Sequence, residues 1–183
     1  MPLEHLLMIR HAERPGSRQA GARPDGTACE HSLSVAGWQR AGALVPYFRC
    51  PQAFNAALAR PSLLFACRAT ATAPSLRSVQ TLHALAVALG LQVDDTFEKQ
   101  DEARLADFLA QASGTALVAW SHHGLPGLAR AFLRGSAAAA QVPSAWPEHR
   151  FDLIWLVDGP AEQRRFSVLP QLLMPGDREV EDG

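Results

Sequence analysis

The chain has 183 residues, 48% of them hydrophobic and 19% charged, and a net charge of −1. That composition excludes a disordered chain and suits one globular domain with a sizeable core. The near-neutral balance brings no general attraction to nucleic acid or to an anionic membrane, so any anion site has to be a local cluster. No apolar stretch is long enough to span a bilayer. The N-terminal residues do not read as a secretory signal, because Glu4, Arg10 and Glu13 interrupt them. Three cysteines, Cys29, Cys50 and Cys67, are odd in number and lack paired metal spacing, so reduced thiols in a cytoplasmic protein are expected.

Residues 6–9 (Leu-Leu-Met-Ile) read as a buried strand ending in Arg10-His11-Ala12-Glu13-Arg14. Residues 15–31 form a long loop with a turn at Pro24-Asp25-Gly26. Ser34 is the expected N-cap of a helix reaching Phe48, with Trp38, Ala41, Leu44, Val45 and Phe48 on one face. Residues 62–67 read as a second strand. After a Thr/Ala/Pro loop, Ser75 is expected to cap a helix that Gly90 closes. A short edge strand at 91–93 and a helix over 101–111 follow. Residues 116–120 read as another buried strand, ending in Ser121-His122-His123-Gly124, with a helix over 125–133. Residues 135–149, with four consecutive alanines, are expected to be a mobile excursion. Residues 151–157 and 166–173 are expected to pair around Asp158-Gly159-Pro160. The alternation predicts a three-layer α/β/α sandwich with a mostly parallel central sheet. One catalytic domain over 1–174 and an acidic, frayed tail over 175–183 are expected.

In a parallel sheet the C-terminal strand ends share one edge, where open α/β sheets bind ligands. The first such end offers Arg10, His11 and Arg14. The second is followed by the helix start Ser75-Leu76-Arg77-Ser78, and a later one carries His122-His123-Gly124. Arginines beside a helix N-terminus suit phosphate. Imidazole, with an ordinary pKa of about 6.5, is an available nucleophile near neutral pH. The chain carries no Gly-x-Ser-x-Gly elbow, Walker A sequence or Gly-x-Gly-x-x-Gly fingerprint.

Four segments, in order, resemble motifs of the histidine phosphatase superfamily, the phosphoglycerate mutase-like fold. They are Arg10-His11-Ala12, with alanine in place of the usual glycine, and Leu33-Ser34-Val35-Ala36-Gly37-Trp38-Gln39-Arg40-Ala41. Then come Ser75-Leu76-Arg77-Ser78-Val79-Gln80-Thr81 and His123-Gly124. The likeness covers residues 6–127, and the chain length resembles the short bacterial phosphatases of the family. It implies that His11 is the nucleophile, forming a transient phosphohistidine. It implies that Arg10, Arg77 and His123 bind the phosphate and stabilise developing charge, with Arg14 as a further phosphate ligand. Neither a metal nor another cofactor is implied. A carboxylic acid for the leaving group is expected at Glu102, with Glu98, Asp101 and Glu13 as alternatives.

Adjacent strand residues point to opposite faces. One of the two histidines is therefore expected in the site, His123 by its following glycine, with His122 packed behind it. Arg40 is expected to brace its helix by ion pairing. His5, His31, His83 and His149 lack metal spacing, although His31 lies where it could line the pocket mouth. Trp38 and Trp120 are expected in the core; Trp146 either contacts substrate or covers the core. The resemblance implies a metal-independent phosphatase acting on a phosphorylated small molecule or a phosphoprotein, with no nucleic-acid or membrane partner. The alternatives are mutase-type phosphoryl transfer and a binding module of the same fold. Nothing in the sequence selects an oligomeric state.

Overall fold

Strand β1 (Leu3–Arg10) fixes the centre of the molecule. Its residues Leu6, Leu7, Met8 and Ile9 are completely buried, as an unbroken apolar run requires when both faces of a sheet are covered. Leu6 and Met8 join one apolar cluster, and Leu7 and Ile9 join another. The computed structural model describes residues 3–17 and 20–180.

Five further strands complete the sheet: β2 (Leu63–Ala66), β3 (Val93–Asp94), β4 (Gly114–Trp120), β5 (Leu153–Asp158) and β6 (Arg165–Pro170). Their order is β3-β2-β4-β1-β5-β6. The pairs β1–β4, β4–β2 and β2–β3 are parallel, and β5 runs antiparallel to both β1 and β6. Helices α1 (Val35–Arg49) and α2 (Arg77–Leu89) cover one face through Leu44, Phe48, Leu82 and Leu85. Helices α3 (Glu102–Gln111) and α4 (Leu125–Phe132) cover the other through Leu105, Leu109, Leu125 and Leu128. This is the predicted three-layer α/β/α sandwich with a mostly parallel sheet. Among the described residues no helix is long and apolar enough to cross a membrane.

Three expectations need correction. Ser75 does not cap α2: the N-cap is Leu76, no side chain caps it, and Ser75 Oγ accepts from Arg77 Nη1 at 3.3 Å. Residues 135–149 are packed down. Trp146 is 3% exposed, stacks 4.9 Å from Trp155 and donates its indole N–H to the Arg150 carbonyl. The four consecutive alanines, which look featureless in the sequence, form a short 3-10 turn that buries Ala138 against the core. The segment from Pro175 is likewise held as far as Arg178. Asp177 pairs with Arg40, and the Arg178 N–H donates to Asp152 at 3.1 Å. Val180 packs against the core, and residues 181–183 of the predicted tail lie outside the described residues.

Arg40 braces more than its own helix. Its guanidinium, only 5% exposed, donates to Glu13 at 2.8 Å, to Gln171 at 3.1 Å and to Asp177 at 2.7 Å. Burial opposes the charge, but the two carboxylates raise the Arg40 pKa above its ordinary value; at Asp177 burial is likewise outweighed, and Arg40 with the Leu173 and Met174 N–H groups holds its carboxyl below the usual range. Removing one partner strands a buried charge. Asp177→Ala is expected to cost about 3 kcal/mol, at the low end for a broken buried pair because Glu13 and Gln171 still hold the guanidinium. The check is the urea unfolding midpoint at unchanged slope.

Candidate active site

The backbone beyond β1 is held from three sides. The His11 N–H donates to the Trp120 carbonyl at 3.0 Å, continuing the β1–β4 ladder. The Ala12 N–H donates to Thr81 Oγ1 at 2.9 Å, and that hydroxyl donates to the Arg77 carbonyl at 2.7 Å. The Glu13 carbonyl accepts from both the N–H and the hydroxyl of Ser34, at 3.0 and 3.1 Å. Gly37 makes this approach possible, since a Cβ there would lie 2.5 Å from the Glu13 carbonyl oxygen. Gln80 fastens the same loop, accepting from the Leu33 N–H at 2.9 Å and donating to Ser32 Oγ at 3.0 Å. The Ser-x-x-Gly and Arg-x-x-Gln-Thr spacings thus serve one purpose: both helices grip the turn that carries His11.

Along this sheet edge lies a cavity of about 350 Å³, lined by Arg10, His11, Arg14, Arg77, His122 and His123 among others. Five of the six residues assigned from sequence therefore meet: Arg10, His11, Arg14, Arg77 and His123. The sixth, Glu102, does not line the cavity. Arg68 and Lys99, which the sequence reading did not single out, also line it, as does His31. Among the described residues no carboxylate lines it.

His11 is 7% exposed, and its Nδ1 lies 2.8 Å from the Ala12 carbonyl. A carbonyl only accepts, so Nδ1 carries the proton and Nε2 keeps its lone pair. Burial, reinforced by Arg10, Arg77 and His122, pushes the His11 pKa down to about 4, so the ring is neutral at pH 7.

Arg10 is 1% exposed. It lies over the Phe151 ring at 3.9 Å and donates through Nη1 to the Glu148 carbonyl, while its Nε has no acceptor. Burial first, and then Arg14, lower its pKa to about 10. Arg77 is anchored by the Ser32 carbonyl at 3.2 Å and the Glu30 carbonyl at 2.7 Å. It opens α2, whose first intrahelical acceptor, the Leu76 carbonyl, is taken by Gln80, leaving first-turn N–H groups beside the cavity. Arg14 sits at the rim, 3.9 Å from Glu148, with both side chains more than half exposed.

The structure brings both histidines to the cavity rather than one. Both follow the end of β4 in a turn, where strand alternation no longer applies, and both rings line the cavity 3.8 Å apart. Of the two, His122 is the one that adds to the groups holding the His11 pKa down. Burial, with Arg10 and His123 close by, lowers the His122 pKa to about 4, and its Nδ1 is buried without a partner.

The expected acid is revised as well. Glu102 Oε1 accepts from the Trp120 indole N–H at 2.9 Å and packs against Gly124, where a Cβ would lie 2.7 Å from the Trp120 ring. It supports the 121–124 turn from beneath. Asp101 accepts from the Glu98 N–H and from Arg104, and Glu13 is bound to Arg40. Glu98 does not line the cavity. Cys67 in the wall has its thiol pushed up to about 11, by burial first and then by Glu102, so it is unreactive. At the rim, beside Arg14, stands the carboxylate of Glu148, which the sequence did not single out. Among the described residues no group of three His, Cys, Asp or Glu is placed to hold a metal ion.

No family model matches the chain, and neither does any curated protein. Among solved structures, the chain is similar to the mycobacterial glucosyl-3-phosphoglycerate phosphatase in complex with VO3. That likeness has 16% identity and a TM-score of 0.53 over 90% of this chain and 98% of the other. It is also similar to SixA from Agrobacterium tumefaciens, a candidate phosphohistidine phosphatase, at 16% identity and a TM-score of 0.49 over 91% and 96%. At this identity the first likeness establishes a shared fold, the phosphoglycerate mutase-like sandwich.

The His11 environment has a measurable signature. The folded chain resists protonating this ring and the unfolded chain does not. The stability it contributes is therefore full above pH 6.5 and is lost as pH falls through about 4. The His11 ring carbon resonance is expected to titrate with a midpoint of about 4, and a midpoint of 6.5 would contradict a buried, cation-flanked ring.

Proposed function

We propose that this chain is a metal-independent phosphatase acting through a phosphohistidine on His11, its substrate a phosphate monoester or a phosphoprotein. The observation that carries this reading is the neutral, Nδ1-protonated His11 in a cavity whose other charged lining residues are all cationic. His11 Nε2 attacks the phosphorus in line with the leaving oxygen, the P–O bond breaks, and the departing oxygen takes a proton from solvent. Water then attacks the phosphorus of the P–N adduct, releasing inorganic phosphate and restoring the Nε2 lone pair. Arg10, Arg77 and the N–H groups at the start of α2 stabilise the charge on the equatorial oxygens. A bound phosphoryl oxygen is the acceptor that Arg10 Nε lacks. His122 is the histidine we assign to the phosphate, and His123 stacks on it.

Among the described residues the cavity wall has no carboxylate, which has two consequences. The site favours leaving groups that depart without a strong acid. The same absence supports the second reading, a phospho-ligand-binding module with little turnover. A cytoplasmic location is inferred from three unpaired cysteines.

Hydrolysis of phenyl phosphate decides between the readings. His11→Ala is expected to lose at least roughly a thousandfold in kcat/KM and to yield no acid-quenched phosphoenzyme. Arg77→Ala and His122→Ala are each expected to lose roughly a hundredfold, and His123→Ala less. Undiminished turnover in His11→Ala would refute the nucleophile; phosphate binding without turnover in the unaltered protein would favour the module. Glu102→Gln keeps an acceptor for Trp120, so its rate on alkyl phosphates is expected to stay within about threefold. A general acid would instead cost roughly a hundredfold or more.

A further inference from the structure

The charge of the cavity exceeds what one phosphate needs. A bound monoester brings at most two negative charges, which Arg10 and Arg77 already match. Three more cations, Arg14, Arg68 and Lys99, line the same 350 Å³ space with no carboxylate among the described lining residues. This concentration arises in a chain whose net charge is −1, and Lys99 is its single lysine.

The two cations that the phosphate reading leaves unused lie together. Arg68 follows the end of β2, and Lys99 lies on the loop between β3 and α3, next to Glu98, whose backbone bridges to Arg68. In the sheet order β2 is two strands from β1, roughly 10 Å at the usual strand spacing of about 4.8 Å. Of the neighbouring carboxylates, Glu98 does not line the cavity and two others are engaged. Asp101 is held by Arg104 and the Glu98 N–H, and Glu102 by Trp120. Among the described residues neither Arg68 nor Lys99 has an ion-pair partner within 4.0 Å. The small hydroxyl-bearing residues Thr72 and Ser75 also line this space.

Resting on the phosphatase reading above, we infer that Arg68 and Lys99 form a second anion subsite. The leaving group of the natural substrate then carries its own anionic group, a carboxylate or a second phosphate. The substrate is an acidic phosphate ester of small-molecule size, held at both ends, with Arg10, His11 and Arg77 at the reacting phosphate and Arg68 and Lys99 at the far anion. A cavity of this volume suits a compact ligand of that kind. Arg14 at the rim is already answered by Glu148 and contributes little to the second subsite.

The test is a matched pair of esters, 4-carboxyphenyl phosphate and its isosteric amide 4-carbamoylphenyl phosphate, compared at low ionic strength. The acid is expected to show a KM about tenfold below that of the amide, and this ratio is expected to fall to about one in the Arg68→Gln/Lys99→Gln double variant. Circular dichroism establishes that the variant is folded. Equal KM values in the unaltered protein, or a ratio that survives in the double variant, would overturn the subsite. Turnover of the amide reports separately on the phosphatase reading. If neither ester is hydrolysed, that reading fails, and the ratio of calorimetric Kd values for the two esters still decides the subsite.

Discussion

A buried, uncompensated guanidinium is the constraint on which this site depends. Arg10 is 1% exposed, yet the groups that hold it are a carbonyl, from Glu148, and a ring face, from Phe151. Neither carries a full negative charge. Burying a cation without a counter-charge is costly, and the chain meets that cost by locking the residue to the end of a central strand, opposite Trp120 in the β1–β4 register. The positive potential thus stays available to a ligand. Arg40 gives the contrast within the same molecule. It is just as deeply placed, but two carboxylates and a glutamine amide surround it. One arginine is neutralised and structural; the other is held open.

The same electrostatics set the state of His11. Burial and three nearby cationic or basic groups disfavour the imidazolium, so the ring remains a neutral base with its lone pair on Nε2. A protonated ring could not attack phosphorus. In the proposed reaction the cations that meet the phosphate therefore also prepare the nucleophile before substrate arrives. Thr81 couples the two by joining Ala12 on the His11 turn to the first turn of α2, where Arg77 sits. The glutamate once expected as the acid works one layer deeper, under the turn that presents His122 and His123.

Much of the architecture is legible in local pattern. Apolar runs of the length of 6–9 and 116–120 have to be buried on both faces, and they are the central strands β1 and β4. Ser34 caps α1 as its type and place predict. Where local pattern misled, long-range packing was the cause. Ser75 looks like a cap, but Arg77 takes its hydroxyl. The alanine-rich stretch looks unanchored, but Trp146 and Ala138 rest on the core. Asp177 looks like part of a solvated tail, but Arg40, 137 positions away, binds it.

The amino-acid sequence by itself determined the α/β alternation, the strand that carries Arg10 and His11, and the placement of Arg14, Arg77 and the histidine pair at strand ends. These follow from hydrophobic periodicity and turn chemistry, which act over a few residues. Only the tertiary structure decided that both His122 and His123 reach the cavity, that Glu102 bonds Trp120 instead of lining the cavity, and that Arg68 and Lys99 complete its wall. The reason is that side-chain direction after a strand end depends on the turn, and that charge and burial sum over neighbours brought together from distant parts of the chain. No spacing rule along the sequence carries that sum.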